Sequence, residues 1–123
     1  MDEINEDIAE KSVSFGSSDA ARYSAPEIIE DNVSATFNSD TYSFAMLLLE
    51  CITEEVPFSH LHRDAAVIHA RISKRQFPPR PEGPDRRKCV SDGLWDLMMR
   101  CWATTPHDRP TMEDVHSFLS HQT

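Results

Sequence analysis

The chain has 123 residues, 39% hydrophobic and 27% charged, and this near-average composition excludes a fibrous or wholly disordered protein. Its 12 basic and 21 acidic residues give a formal net charge of -9, which argues against binding nucleic acid, since phosphate contacts need clustered Lys and Arg. No apolar run approaches about 20 residues, so the sequence predicts no membrane span.

Residues 1–22 are predicted to form a flexible arm rich in acidic residues and serine. Its apolar residues show no sustained period, and five acidic residues precede the first basic residue, Lys11. The candidate phosphorylation sites of this arm are Ser12, Ser14, Ser17 and Ser18, with ordinary loop serines as the alternative.

The three cysteines, Cys51, Cys89 and Cys101, are an odd set without a C-x-x-C pair. Cys51 and Cys101 lie in apolar helical patterns, where a reduced cysteine behaves as a small hydrophobic residue. We therefore expect a reducing, intracellular compartment, the cytoplasm. The His and Cys residues lack the spacing of a zinc site, and the acidic start differs from the basic start of a signal peptide.

The first two predicted helices begin at Pro26 and near Ser39. Proline suits the first helical position, so a short helix is predicted from Pro26 to Glu30. Ser39 and Asp40 are predicted to cap a longer helix that continues to about Glu54. Its residues 42–52 are apolar almost all round, which is typical of a helix at the centre of a larger structure.

A third helix is predicted from Arg63 to Ser73, with Asp64 favouring the helix dipole in the first turn. The basic stretch that follows, residues 74–90, contains four prolines, which preclude a helix. Since no alternating strand pattern occurs along the chain, the predicted fold class is all-α.

Two amphipathic helices complete the predicted fold. The fourth helix, Ser91 to Ala103, has apolar residues at helical spacing. They are Leu94, Leu97, Met98, Cys101 and Trp102. The fifth opens at Pro110-Thr111, where Thr111 and Asp114 resemble a capping box. It is predicted to bury Met112, Val115, Phe118 and Leu119.

Four motifs follow one another along the chain. They are Arg22-Tyr23-Ser24-Ala25-Pro26-Glu27, Ser39-Asp40-Thr41-Tyr42-Ser43-Phe44-Ala45, Val56-Pro57-Phe58, and Cys101-Trp102 followed by Asp108-Arg109-Pro110. In this order and spacing they resemble the end of a protein kinase domain of the tyrosine-kinase-like group. The resemblance implies a truncated helical C-lobe at residues 23–123, preceded by a remnant of the activation loop.

The resemblance also implies structural roles for these motifs. The motif residues are Ala25, Pro26, Glu27, Asp40, Trp102 and Arg109. In the family, the residues matching Glu27 and Arg109 form a buried ion pair, and the matching tryptophan lies in the core. The matching aspartate accepts hydrogen bonds from the catalytic loop, although helix capping alone would explain Asp40. Trp95 lies off the apolar stripe and is predicted to be partly exposed.

Kinase chemistry needs a Gly-rich loop, a strand lysine, a catalytic Asp and residues that hold magnesium. The chain has three glycines, Gly16, Gly83 and Gly93, which cannot form G-x-G-x-x-G. ATP and magnesium therefore belong to the complete family, and for this chain we expect no catalytic, cofactor or metal residue and no activity alone.

Two segments imitate catalytic motifs. His62-Arg63-Asp64 spells H-R-D, but it follows Ala-Pro-Glu instead of preceding it, so it is interpreted as a helix start. Ser14-Phe15-Gly16 resembles a decayed D-F-G, but serine is a poor magnesium ligand. It fits the distal activation loop better.

These observations favour a fragment of a protein kinase that is inactive alone. The alternative is a non-enzymatic, pseudokinase-like interaction module, and an unrelated helical adaptor would require that Glu27 and Arg109 not meet. Without preceding helices, residues 42–52 should expose an apolar patch that binds a protein partner. The basic loop 71–88 is a second candidate surface, for an acidic partner, or else a solvated loop.

Overall fold

The structure, a computed structural model, describes residues 21–31 and 33–121. These ranges contain the α-helices α1 (Pro26–Asp31), α2 (Phe37–Thr53), α3 (Asp64–Ile68), α4 (Asp92–Cys101) and α5 (Met112–Ser120). A π-helical turn, His69–Ser73, continues α3, and 3-10 turns span Arg86–Lys88 and Pro106–Asp108. Since no strand occurs in either range, the predicted all-α fold class is confirmed.

Helix α2 begins earlier than the sequence predicted. Its N-cap is Thr36, whose hydroxyl oxygen accepts from the Ser39 amide at 3.1 Å, while the Thr36 amide donates to Ser39 Oγ at 2.7 Å. The prediction that Ser39 and Asp40 cap the helix is therefore wrong. Asp40 lies exposed in the first turn, where its carboxylate interacts favourably with the positive end of the helix dipole.

The two faces of α2 differ in burial. The inner face carries Tyr42, Ala45, Met46 and Leu49, all at most 4% exposed. The opposite face, which we call the outer face of α2, consists of Phe37, Phe44, Leu47, Leu48 and Cys51. Leu47 is 51% exposed, and Cys51 is exposed as well. Cys51 is therefore not the buried small residue that its apolar surroundings predicted.

Around α2 pack α4 and the two 3-10 turns, while α1 contacts the π-helical turn. Trp102, at the end of α4, is fully buried, which confirms its predicted place in the core. Trp95 is half-buried, as predicted, and its ring meets that of Trp102 edge-on at 5.4 Å. Cys101 is also buried, and this burial raises the pKa of its thiol to about 11.

The third and fifth helices begin close to where the sequence placed them. Arg63 is the N-cap of α3 and Asp64 lies in its first turn, so His62-Arg63-Asp64 is a helix start as predicted. Thr111 and Asp114 form the predicted capping box of α5. Met112 is 39% exposed, so the prediction that α5 buries it is wrong, because the inner face of α5 is centred on Val115.

Crossing a bilayer requires a long and strongly apolar helix, and none of the helices within residues 21–31 and 33–121 meets both conditions.

The contrast between neighbouring residues of α2 gives a test of the fold. Met46→Ala should lower the free energy of unfolding by about 2–5 kcal/mol, because Met46 is 0% exposed and its removal leaves a cavity. Leu47→Ala, one residue further on the outer face, should cost well under half as much. Urea denaturation followed by circular dichroism measures both, and equal losses would contradict the assigned faces.

Candidate functional site

Glu27 and Arg109 form a two-pronged ion pair between parts of the chain 82 residues apart. Arg109 Nη1 and Nη2 donate to Glu27 Oε2 and Oε1, both at 2.8 Å. The Arg109 side chain is 0% exposed and that of Glu27 19%. This paired geometry, with two parallel N–H···O bonds, is the strongest form of an Arg–carboxylate contact. The predicted buried ion pair is confirmed.

Two further N–H donors of Arg109 form hydrogen bonds to backbone carbonyl groups. Its Nε donates to the Ala103 carbonyl at 2.8 Å, and Nη1 donates to the Asn38 carbonyl at 3.1 Å. The guanidinium lies over the Tyr42 ring, 4.9 Å from the ring centre. A fully buried cation is tolerated only when it is paired and hydrogen-bonded in this way. Arg109 therefore joins α1, the start of α2 and the chain after α4.

Glu27 is charged in the folded protein at neutral pH. Burial of its carboxyl acts to raise the pKa, but the Arg109 hydrogen bonds, a backbone hydrogen bond and the Arg109 charge outweigh burial. The pKa of Glu27 therefore lies below the ordinary value of a glutamate side chain.

Arg71 is a second buried arginine, 3% exposed, and it holds the segment before α1. Its Nη1 donates to the Ala21 carbonyl at 3.0 Å, and its Nη2 donates to the Ser24 carbonyl at 2.7 Å and to the Tyr42 hydroxyl at 2.8 Å. The sequence placed Arg71 within the predicted third helix, where the structure also has it, but counted it as the first residue of the exposed basic loop 71–88 as well, and its burial shows that second assignment to be wrong. Arg71 shares an inner face with Val67 and Ala70, at helical spacing, and this was the signal that sequence reasoning missed.

Arg22 ties the same segment to the turn after α2. Its guanidinium donates to three carbonyl groups, those of Pro57 at 2.8 Å, Phe58 at 3.0 Å and Leu61 at 2.8 Å. The next residue, Tyr23, donates its hydroxyl hydrogen to the Glu50 carboxylate on α2. Residues 21–27 thus contact four regions of the chain, three through side chains and the turn after α2 through its carbonyl groups.

The remaining motif residues are spread over this framework. Ala25 is 0% exposed, Pro26 is buried, and the Ala25 carbonyl accepts from the Ile28 amide at 3.0 Å to start α1. Asp40 contributes no contact to the cluster around Arg109, because its side chain is exposed. The candidate phosphorylation sites Ser12, Ser14, Ser17 and Ser18, with Ser14-Phe15-Gly16 and most of the predicted arm 1–22, lie outside the described residues.

Most cations of the basic stretch 71–88 already have partners. Arg75 pairs with Glu30 at 2.8 Å, Arg80 with Asp92 at 2.6 Å, Arg87 with Asp85 at 3.3 Å and Lys88 with Glu54 at 3.3 Å. Lys74 and Arg86 are exposed and form no ion pair within the described ranges. In those same ranges, no cluster of three or more His, Cys, Asp or Glu side chains could hold a metal ion.

The sequence was compared with known proteins. Residues 2–119 match the family model described as protein tyrosine and serine/threonine kinase. The chain is 35% identical over 102 residues to dual specificity protein kinase shkC of Dictyostelium discoideum, covering 80% of this chain and 18% of that protein. It is also 35% identical over 100 residues to inactive tyrosine-protein kinase 7 of Gallus gallus, covering 80% and 9%.

A third relative is proto-oncogene tyrosine-protein kinase ROS of Rattus norvegicus, 34% identical over 99 residues, with 80% and 4% covered. The chain thus spans a quarter or less of the length of these curated relatives. The similar region includes Glu27, Arg109 and Trp102, the residues whose geometry is described above.

Removing the charge of Glu27 should destabilise the protein. Glu27→Gln leaves the Arg109 cation buried with a weaker partner, so we expect a loss of about 3 kcal/mol in the free energy of unfolding. The control, Glu30→Gln, breaks a contact in which the Arg75 side chain is 49% exposed, and should cost at most about 1 kcal/mol. Similar values for the two variants in urea denaturation would contradict a special role for the Glu27 pair.

The lowered pKa of Glu27 sets a direction for the pH dependence. The folded carboxyl binds its proton less readily than the unfolded one, so the pair stabilises the protein fully above pH 4.5 and loses this contribution as the pH falls through the folded pKa. The stability difference between the wild type and Glu27→Gln should therefore shrink on acidification below pH 4.5. Denaturation at a series of pH values measures it, and a constant difference would exclude this linkage.

Proposed function

Because the chain belongs to the protein tyrosine and serine/threonine kinase family, we propose that it is the helical C-terminal part of a kinase domain and transfers no phosphate by itself. The observation that carries the structural half of this proposal is the Glu27–Arg109 pair. It joins the Ala25-Pro26-Glu27 motif to Asp108-Arg109-Pro110, as the resemblance implied.

The proposed lack of activity is supported by the catalytic groups that phosphoryl transfer requires, because the described residues do not bring such a set together. Phosphoryl transfer needs a cradle for the nucleotide phosphates, carboxylates that hold magnesium, and an Asp that accepts the substrate hydroxyl proton. The one H-R-D sequence, at residues 62–64, is used to begin α3, and Asp64 is exposed in the first helical turn. ATP and magnesium are accordingly proposed as cofactors of the complete domain and not of this chain.

A second candidate function is a non-enzymatic interaction module. It is favoured by the outer face of α2, where Phe37 is 89% exposed and Leu47 51%. Contiguous exposed apolar surface on a folded protein is typical of a partner-binding site. The name of the Gallus gallus relative describes that protein as inactive, and the proposed interaction module would likewise lack catalytic activity.

We prefer the outer face of α2 to the basic loop 71–88 as the surface that binds a partner protein. Arg71 is buried, and Arg75, Arg80, Arg87 and Lys88 are engaged in ion pairs, so this loop attracts an acidic partner less strongly than its sequence suggests.

A cytoplasmic location is proposed together with either function. The three cysteines are free thiols, as a reducing compartment would keep them.

A direct assay tests the proposed lack of activity. The tag-free 123-residue chain, incubated with radiolabelled ATP, magnesium and a generic acceptor protein, should transfer no label above background. A non-hydrolysable ATP analogue with magnesium should leave the melting temperature unchanged, because stabilisation requires binding to the folded state. An active kinase serves as the positive control, and magnesium-dependent labelling or stabilisation would overturn the proposal.

A further inference from the structure

A groove with a volume of about 330 Å³ lies at the end of α2, away from the Glu27–Arg109 pair. One wall is the turn that follows α2, with Val56, Pro57 and Phe58. The other wall is the proline-rich stretch 78–85. A volume of this size is within the range of about 300–1,000 Å³ that is usual for ligand-binding pockets.

Both walls of the groove contain backbone that is restrained by proline rings or by hydrogen bonds. Four prolines, Pro78, Pro79, Pro81 and Pro84, fix the backbone of one wall, and Gly83 between them adopts φ +148°. In the other wall Phe58 has φ 58°, and Arg22 holds the carbonyl groups of Pro57 and Phe58 from behind. A preformed groove loses little conformational entropy when it binds a ligand, which favours affinity.

The unpaired charges that line the groove are negative. Arg80 is engaged by Asp92 and by the Val90 carbonyl, and Lys88 by Glu54. Of the lining carboxylates, Asp85 pairs with Arg87, whereas Glu55 and Glu82 are exposed and form no ion pair with any residue that the structure describes. The same lining includes apolar surface, with Val56, which is 41% exposed, and the prolines of the opposite wall.

We propose that this groove binds an extended peptide of a partner protein, with an apolar side chain seated on Val56 and the prolines and flanking lysine or arginine residues paired with Glu55 and Glu82. Complementary charge at the rim of an apolar site selects and orients such a partner. The sequence had suggested an acidic partner for this stretch, but its free charges on the groove side are negative. The proposal is independent of whether the chain transfers phosphate.

Synthetic peptides test the proposed chemistry on the full 123-residue chain. The probe is a fluorescein-labelled heptapeptide with a central leucine and two lysines at each end, and binding is followed by fluorescence anisotropy. One control peptide carries glutamate in place of every lysine, and another carries serine in place of the leucine. We expect each control to bind at least about fivefold more weakly than the probe, and added salt to weaken the probe.

Equal binding of the glutamate peptide would overturn the proposal, and so would a probe that fails to bind at about 1 mM. Chemical shift changes in the protein should concentrate in residues 55–60 and 78–85. Shift changes confined to the outer face of α2 would assign the peptide to the other surface and likewise overturn the proposal.

Variants of the groove provide a second test. The double variant Glu55→Gln with Glu82→Gln should bind the probe about three- to tenfold more weakly, because two exposed ion pairs are lost. Glu113→Gln, which removes an exposed carboxylate of α5 outside the groove, should bind as the wild type does. Unchanged binding by the double variant would refute the assigned roles of Glu55 and Glu82.

A matched pair of protein variants tests the apolar contact of the proposed peptide. Val56→Ser should weaken binding of the probe, whereas Leu47→Ser, on the outer face of α2, should not. Both residues are substantially exposed, so both variants should keep the circular dichroism spectrum of the wild type. Loss of binding by Leu47→Ser alone would place the peptide on α2 and contradict the proposal.

Discussion

The charge of Arg109 is the constraint on which the arrangement of the other elements depends. Its side chain is 0% exposed, and a guanidinium in that position is tolerated only when it is paired and hydrogen-bonded. Glu27 supplies two acceptors, and the carbonyl groups of Asn38 and Ala103 supply two more. These partners come from α1, from the start of α2 and from the chain after α4. The position of α1 against the rest of the molecule therefore follows from satisfying one buried cation.

Arginine plays the same part in the segment before α1. Arg22 and Arg71 donate to five backbone carbonyl groups between them, and Tyr42 lies beside both Arg71 and Arg109. Within residues 21–27 Ala21, Ala25 and Pro26 are buried, and the fixed, multidentate hydrogen bonds of arginine add to this small apolar contribution. The family motif at this end of the chain is thus held by polar contacts, whereas α2 and α4 are held by apolar packing around Trp102 and Met46.

Sequence reasoning succeeded where a pattern is local or where a family motif carries a long-range contact. The capping box at Thr111 is a local signal, and the Glu27–Arg109 pair was inferred from two motifs without any knowledge of the distance between them. The start of α2 was missed because Ser39 and Asp40, which are residue types that favour N-caps, follow Thr36 closely and offered an alternative start. Arg71 was placed in the correct helix, but its charge led to its being counted with the exposed basic loop, although its helical spacing with Val67 indicates the inner face. Burial of a cation depends on tertiary partners, which composition does not reveal.

The π-helical turn after α3 makes this part of the chain sensitive to insertions and deletions. Here the Lys74 amide donates to the His69 carbonyl, five residues back, so the turn holds one residue more than an α-helix would. Deleting a single residue just before Arg71 would rotate it by about 100° around the helix axis. The guanidinium would then point away from Ala21, Ser24 and Tyr42. A change in the length of this turn should therefore disturb the structure more than a substitution of one of its exposed side chains, such as His69.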